Sequence, residues 1–116
     1  MKAKAGFRTL FGKITLSDKI FLTKYLSLML RVGTDLLSAT NILIADFDKE
    51  AMRNFLLEVM ENLSHGQPFY IAFSKYPQVF SPTFVSLVKA AEVSGKLQET
   101  FERLSTSLAK EADLRS

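Results

Sequence analysis

Residues that end or begin helices divide the sequence after residue 16 into short segments, so the chain is limited to short helices with tight connections. Gly33, Gly66 and Gly95 are placed to end helices, because glycine readily adopts the left-handed conformation that follows a helix C-terminus. Pro77 would stop one helix, whereas Pro82 suits the first turn of the next, where its missing N–H is not needed. These five residues are predicted to shape the fold.

Within each segment the apolar residues recur at intervals of three and four, the spacing of one helix face. The predicted fold class is therefore all-α, a single antiparallel six-helix bundle, with no strand. Residues 1–16 are predicted to be a flexible basic lead-in, and residues 17–116 the six-helix domain. We expect Ser17 to cap the first helix and Asp48 the third. The six helices are predicted at 17–32, 36–45, 49–65, 68–76, 83–94 and 96–115.

The segment 83–94 is expected to form the axis of the bundle. Its apolar residues cover most of its circumference, and such a helix usually lies inside a bundle with neighbours on several sides. These residues are Phe84, Val85, Leu87, Val88, Ala90, Ala91 and Val93. Lys89 and Glu92 are the two charges of this helix. They would form an i,i+3 pair at its one wet edge or contact a partner.

Charge is distributed unevenly along the chain. Residues 1–34 contain seven basic side chains and one acidic side chain, whereas residues 35–116 contain eight basic and eleven acidic ones. A basic start suggests proximity to an anionic surface, which could be a membrane, nucleic acid or an acidic partner. A solvated tail would explain the same pattern. The absence of cysteine excludes disulfides and thiolate metal sites and fits a reducing compartment.

Motifs for catalysis and nucleotide binding are incomplete. His65, the single histidine, is expected at a helix C-terminus, where it favours the helix dipole without a further role. The sequence Ser94-Gly95-Lys96 is similar to the end of a phosphate-binding loop, but that loop would need glycine and a hydroxyl residue where Ala90 and Leu97 stand. We therefore predict no catalytic residue, no enzyme activity and no cofactor.

Metal and nucleic-acid sites are weakly supported. A row of alternating acids resembles a calcium loop, but the turn glycine and the closing glutamate are missing, so no metal site is predicted there. The positions concerned are Asp46, Asp48, Glu50, Ala51 and Leu57. Glu92 with Glu99 could hold a hard cation, an alternative that stays open. The segment 36–45 lacks arginine and lysine, so a nucleic-acid-binding role, the alternative function, would depend on the basic lead-in.

Several short motifs, taken in order, resemble a known family. They are Leu30-Arg31-Val32-Gly33, Leu36-Leu37-Ser38-Ala39, Ile42-Leu43, Gly66, Ala72, Tyr76-Pro77, Val79-Phe80, Val85, Glu92, Ser94-Gly95 and Leu97. The set is similar to the cytoplasmic domain of the type II secretion protein F family, whose members are inner-membrane platform proteins of type II secretion, type IV pilus assembly and competence pili. The resemblance covers about residues 17–108. Ala91, where members often have glycine, and Asp35, in a turn that is often apolar, depart from the pattern.

The resemblance implies a non-enzymatic scaffold domain on the cytoplasmic face of a bacterial inner membrane. It would link the assembly ATPase and other inner-membrane components to pilin or pseudopilin assembly. A second copy of the domain is a further candidate partner. Under this resemblance no nucleic acid is expected as a partner. The complete protein would carry two such domains and several membrane helices, one just beyond Ser116, with this chain as the first domain.

Four charged side chains are the predicted partner contacts. Lys89 and Glu92 come from the segment 83–94, and Arg53 and Glu58 from the outer side of the segment 49–65. If Glu92 is such a contact, Glu92→Lys should weaken partner binding and leave thermal unfolding nearly unchanged.

Overall fold

The structure is a computed structural model that describes residues 13–115, and its regular structure is helical. Within that range there are six helices and no strand. The helices are α1 (Leu16–Arg31), α2 (Leu36–Asp46), α3 (Glu50–Ser64), α4 (Tyr70–Ser74), α5 (Pro82–Ser94) and α6 (Leu97–Arg115). The all-α prediction is confirmed, whereas the antiparallel arrangement stays a prediction. Most of the predicted lead-in lies outside the described residues, and its last residue, Leu16, begins α1.

The helices pack in a closed cyclic order. Each helix contacts the next along the chain, and α6 returns to α1 to form the most extensive interface. α6 presents Phe101, Leu104 and Leu108 to the core at the predicted spacing of three and four residues. Across this interface the Gln98 side-chain amide donates to the Ser27 hydroxyl at 3.2 Å. Packing between the first and last helices therefore closes the fold.

An aromatic cluster fills the part of the core between α3, α4, α5 and α6. Its six phenylalanines are at most 6% exposed. Phe73, from the five-residue helix α4, has its ring centroid 4.9–6.2 Å from the rings of the other five. Several of these pairs are edge-to-face, the arrangement that aromatic rings favour. The members of this aromatic cluster are Phe55, Phe69, Phe73, Phe80, Phe84 and Phe101.

The axial position predicted for the segment 83–94 is wrong. α5 buries one face, made of Phe84, Val88 and Ala91, and packs between α4 and α6. Leu87 is 46% exposed and Val93 84% exposed. The apolar content of the sequence overstated the burial of α5, because neighbouring helices cover only the face that carries Phe84, Val88 and Ala91 and leave Leu87 and Val93 exposed.

Two helix starts differ from the prediction. α1 is capped by Thr15 rather than Ser17, in a capping box: Thr15 Oγ1 accepts from the Asp18 N–H at 3.1 Å, and Asp18 Oδ2 accepts from the Thr15 N–H at 2.9 Å. The N-cap of α3 is Lys49 rather than Asp48, and its side chain makes no capping hydrogen bond. The Lys49 ammonium instead donates to Asp18 at 2.7 Å, tying the start of α3 to the start of α1.

The glycines that follow α1 and α3 act as predicted. Gly33 and Gly66 have φ values of 92° and 74°, which L side chains rarely adopt. After α1, the Gly33 N–H donates to Leu30 O at 3.1 Å and the Thr34 N–H to Met29 O at 2.9 Å, which completes a Schellman motif. Pro82 is the first residue of α5, and Ser81 caps that helix. Gly33 and Gly66 thus allow their helices to end within a few residues.

The Asp18–Lys49 pair should make the stability of the fold depend on pH. Burial raises the pKa of Asp18, but hydrogen bonds from Lys49 and Thr15 and the Lys49 charge outweigh it and hold the pKa below the ordinary 3.8. Because the folded-state pKa is lowered, this stabilisation is fully present above about pH 4 and disappears as the pH falls through the folded-state pKa. Urea titrations from pH 5 to pH 2 should show that wild type loses up to about 1 kcal/mol more than Asp18→Asn. Parallel losses in the two proteins would contradict this prediction.

Candidate partner-binding surface

Glu92, one of the four predicted contacts, binds backbone groups inside the chain. Its Oε2 accepts from the Phe69 N–H at 2.6 Å and its Oε1 from the Tyr70 N–H at 3.1 Å. These are donors at the start of α4, which no side chain of that helix caps. A carboxylate that accepts two backbone N–H groups forms charge-assisted hydrogen bonds. The Glu92 side chain therefore fixes α4, and with it Phe73, against α5.

Lys89 lies one turn earlier on α5 and is exposed. Its ammonium nitrogen is 5.2 Å from the centroid of the Tyr70 ring, a cation–π contact. No salt bridge within residues 13–115 involves Lys89, so the i,i+3 pair with Glu92 does not form. The Lys89 charge is available to a partner from this position, and its role as a contact stays a prediction.

Glu58 reaches the other end of α4. Its carboxylate accepts a long hydrogen bond of 3.4 Å from the Tyr76 hydroxyl and lies 3.9 Å from the Lys75 ammonium. Burial raises the pKa of Tyr76, and the negative charge of Glu58 and the hydrogen bond to it raise it further. The phenol therefore remains a neutral donor through the physiological range. Glu58 and Glu92 thus hold the segment around α4 from α3 and α5 respectively.

Arg53 differs from the other three residues. It is exposed on α3, and no ion pair or hydrogen bond of its side chain occurs within the described part of the chain. An unengaged guanidinium can bind a carboxylate in bidentate geometry without first breaking an internal contact. Arg53 is therefore the predicted contact whose geometry fits docking most simply.

The structure gathers three of the four predicted residues around one segment. Glu58, Lys89 and Glu92 all contact residues 69–76, whereas Arg53 makes no hydrogen bond or ion pair with that segment. Sequence reasoning did not find the α4 side of these contacts, which consists of the Phe69 and Tyr70 amides, the Tyr70 ring, Lys75 and Tyr76. No local signal could have identified them, because the Glu92 partners lie 22 and 23 residues away.

Other kinds of site find little support in the described residues. No group of three or more histidine, aspartate or glutamate side chains there could hold a metal ion. A shallow, open depression on α6 is lined by a single helix through Glu99, Glu102, Arg103, Thr106 and Ser107. Within the same range, none of the helices combines the length and apolar character that a membrane crossing requires.

Comparison with known proteins decides the family. The family model described as type II secretion system protein F matches residues 22–116, which include α2 to α6 and most of α1. The chain belongs to the type II secretion system protein F family. The resemblance found in the sequence is therefore confirmed.

Curated members of the family include proteins of two assembly systems. The chain is 36% identical to the type IV pilus assembly protein PilC of Thermus thermophilus over 100 residues. The matched stretch covers 86% of this chain and 24% of that protein. It is 29% identical over 104 residues to PilC of Pseudomonas aeruginosa, covering 90% and 28%. It is 27% identical over 103 residues to the type II secretion system protein F of Vibrio cholerae, covering 89% and 25%. The chain thus spans about a quarter of the length of these relatives.

Proposed function

We propose that this chain is a non-enzymatic scaffold domain of an inner-membrane platform protein, acting in type II secretion or type IV pilus assembly. The family match carries this proposal, because the curated relatives are named for those two systems. The domain docks the assembly ATPase on the cytoplasmic face of the membrane and contacts other inner-membrane components and a second copy of itself. The exposed charges of Arg53 and Lys89 support docking, because a partner can reach both side chains.

The proposed docking residues are Arg53 on α3 and Lys89 on α5. Arg53 and Lys89 are exposed and have no salt bridge within residues 13–115, so each offers a charge to an acidic patch without losing an internal ion pair. Arginine is enriched among the residues that dominate binding energy at protein interfaces. Glu58 and Glu92 act mainly by holding α4, and their effect on docking is indirect.

A binding titration with single charge reversals tests this proposal. The purified chain is titrated with the purified assembly ATPase of its own system, comparing wild type, Arg53→Glu and Lys89→Glu. Each reversal should raise Kd about tenfold, because it places a like charge opposite the partner's acids. Lys110→Glu makes the same charge change at an exposed position of α6 that is not a proposed contact, and it should leave Kd within about twofold.

Two results would contradict the proposal. The first is equal weakening by all three reversals, which would indicate a general charge effect. The second is an absence of saturable ATPase binding together with strong, steeply salt-dependent binding of DNA, which would favour the nucleic-acid alternative.

A further inference from the structure

The outer side of α1 exposes several apolar side chains in a row. Tyr25 and Leu28 are each 40% exposed and Val32 is 79% exposed, and their spacing of three and four places them on one side of the helix. Phe21, one turn before Tyr25, is half-buried and has its ring centroid 4.3 Å from the Tyr25 ring. We call these four residues the α1 stripe. It lies away from the core face of α1, which buries Leu22, Thr23, Leu26 and Ser27.

Positive charge accompanies the α1 stripe. Lys24 is exposed beside it, and no salt bridge in the described part of the chain involves Lys24. Asp18 is the one acidic residue before Gly33, and the Lys49 ammonium already neutralises it at 2.7 Å. The sequence ahead of α1 adds four more cations and no acid: Lys2, Lys4, Arg8 and Lys13. An exposed basic side chain and exposed apolar side chains thus occur together on α1, and the sequence that precedes it is basic.

We propose that the α1 stripe docks on the surface of an anionic lipid bilayer. Aromatic and aliphatic side chains enter the boundary between headgroups and acyl chains, while neighbouring lysines bind lipid phosphates. Both parts are present on α1: Tyr25, Leu28 and Val32 supply the apolar contact, and Lys24 supplies the charge. Nucleic acid would use the charge alone and leave the apolar groups in water. The proposal goes beyond ATPase docking and does not depend on it.

Vesicle co-sedimentation with two matched double variants tests the apolar contact. The full chain is mixed with vesicles of equal parts phosphatidylglycerol and phosphatidylcholine, and with vesicles of phosphatidylcholine alone. Leu28→Gln/Val32→Gln should weaken binding to the anionic vesicles about tenfold or more. Leu87→Gln/Val93→Gln on α5 removes the same two residue types at closely similar exposure, 46% and 84%, and should change binding less than about twofold.

A second pair of variants tests the charge. Lys24→Gln should weaken binding to the anionic vesicles about fivefold, since each lysine near such a surface contributes about 1 kcal/mol. Lys110→Gln, an exposed lysine on α6, should have less effect than Lys24→Gln. Thermal unfolding of every variant should match that of wild type, because each substitution replaces an exposed side chain.

The proposal is overturned by any of three outcomes. Binding that is equal for the two vesicle compositions would exclude recognition of anionic lipid. Equal losses for the α1 and α5 double variants would exclude the α1 stripe as the contact. A dimer that Leu28→Gln/Val32→Gln dissociates in sedimentation velocity, with no vesicle binding by wild type, would assign the stripe to a second copy of the chain.

Discussion

Phe73→Ala is expected to lower the free energy of unfolding by about 4 kcal/mol, the largest effect of any single substitution considered for this chain. Phe73 is 1% exposed and its ring contacts all five other members of the aromatic cluster. Truncation removes the apolar area of the ring and leaves a cavity that the surrounding rings can fill only in part. Urea denaturation followed by far-UV circular dichroism measures the loss as a lower midpoint at an unchanged slope.

Controls separate this loss from a general sensitivity to truncation. Leu87→Ala removes an apolar side chain that is 46% exposed and should cost less than about 1 kcal/mol. Since a domain of this size is stable by only about 5–15 kcal/mol, Phe73→Ala could unfold the chain at 37 °C, and Phe73→Leu then provides the measurement, with an expected loss of about 1.5 kcal/mol. A loss for Phe73→Ala no larger than that for Leu87→Ala would show that the cluster does not stabilise the fold.

Glu92→Ala is expected to lower the free energy of unfolding by about 3 kcal/mol. The substitution leaves the Phe69 and Tyr70 N–H groups without their carboxylate acceptor, and hydrogen bonds to charged groups contribute about 1.5–3 kcal/mol each. Glu92→Gln should cost less, about 2 kcal/mol, because the amide oxygen can still accept one of the two bonds. Amide hydrogen exchange should accelerate at Phe69 and Tyr70 in both variants.

The same geometry reverses the effect expected for Glu92→Lys from the sequence. Lysine has no acceptor for the two N–H groups, and it would bring a positive charge to the partly positive start of α4, so we now expect destabilisation. Glu61→Gln is the matched control, since Glu61 is exposed on α3 and its side chain has no hydrogen bond or ion pair among the described residues. If Glu92→Gln and Glu61→Gln unfold at the same midpoint, the α4 contact does not stabilise the domain and the partner-contact role of Glu92 regains weight.

Local features of the fold were accessible from the sequence. The segment predicted at 49–65 is the helix Glu50–Ser64, because its apolar residues repeat with one clear period and Gly66 has the conformation that ends it. The start of α5 at Pro82 could be predicted from that one residue, because proline lacks an N–H and fits the first turn of a helix. The Thr15 cap had a visible signal too, since Asp18 stands three residues later and completes a capping box.

Features that depend on distant pairs were not accessible. The closure of α6 on α1 joins opposite ends of the chain, and the contact of Glu92 with α4 joins residues 22 and 23 positions apart. Apolar content also misled the prediction for α5, because periodicity shows which residues share a face but not whether a second helix covers the opposite one. The sequence pattern could predict that Arg53 and Lys89 are exposed, but it does not show which partner such an exposed charge would bind.

Hydrogen–deuterium exchange of the chain, alone and saturated with the assembly ATPase, tests most directly whether a preformed fold docks through its charged exterior. We predict added protection in the parts of α3 and α5 that contain Arg53 and Lys89, with no change at the Phe69 and Tyr70 amides that Glu92 already holds. Protection gained chiefly at those two amides and around Phe73 would show that binding remodels the core, and no protection anywhere would show that the ATPase does not bind this domain.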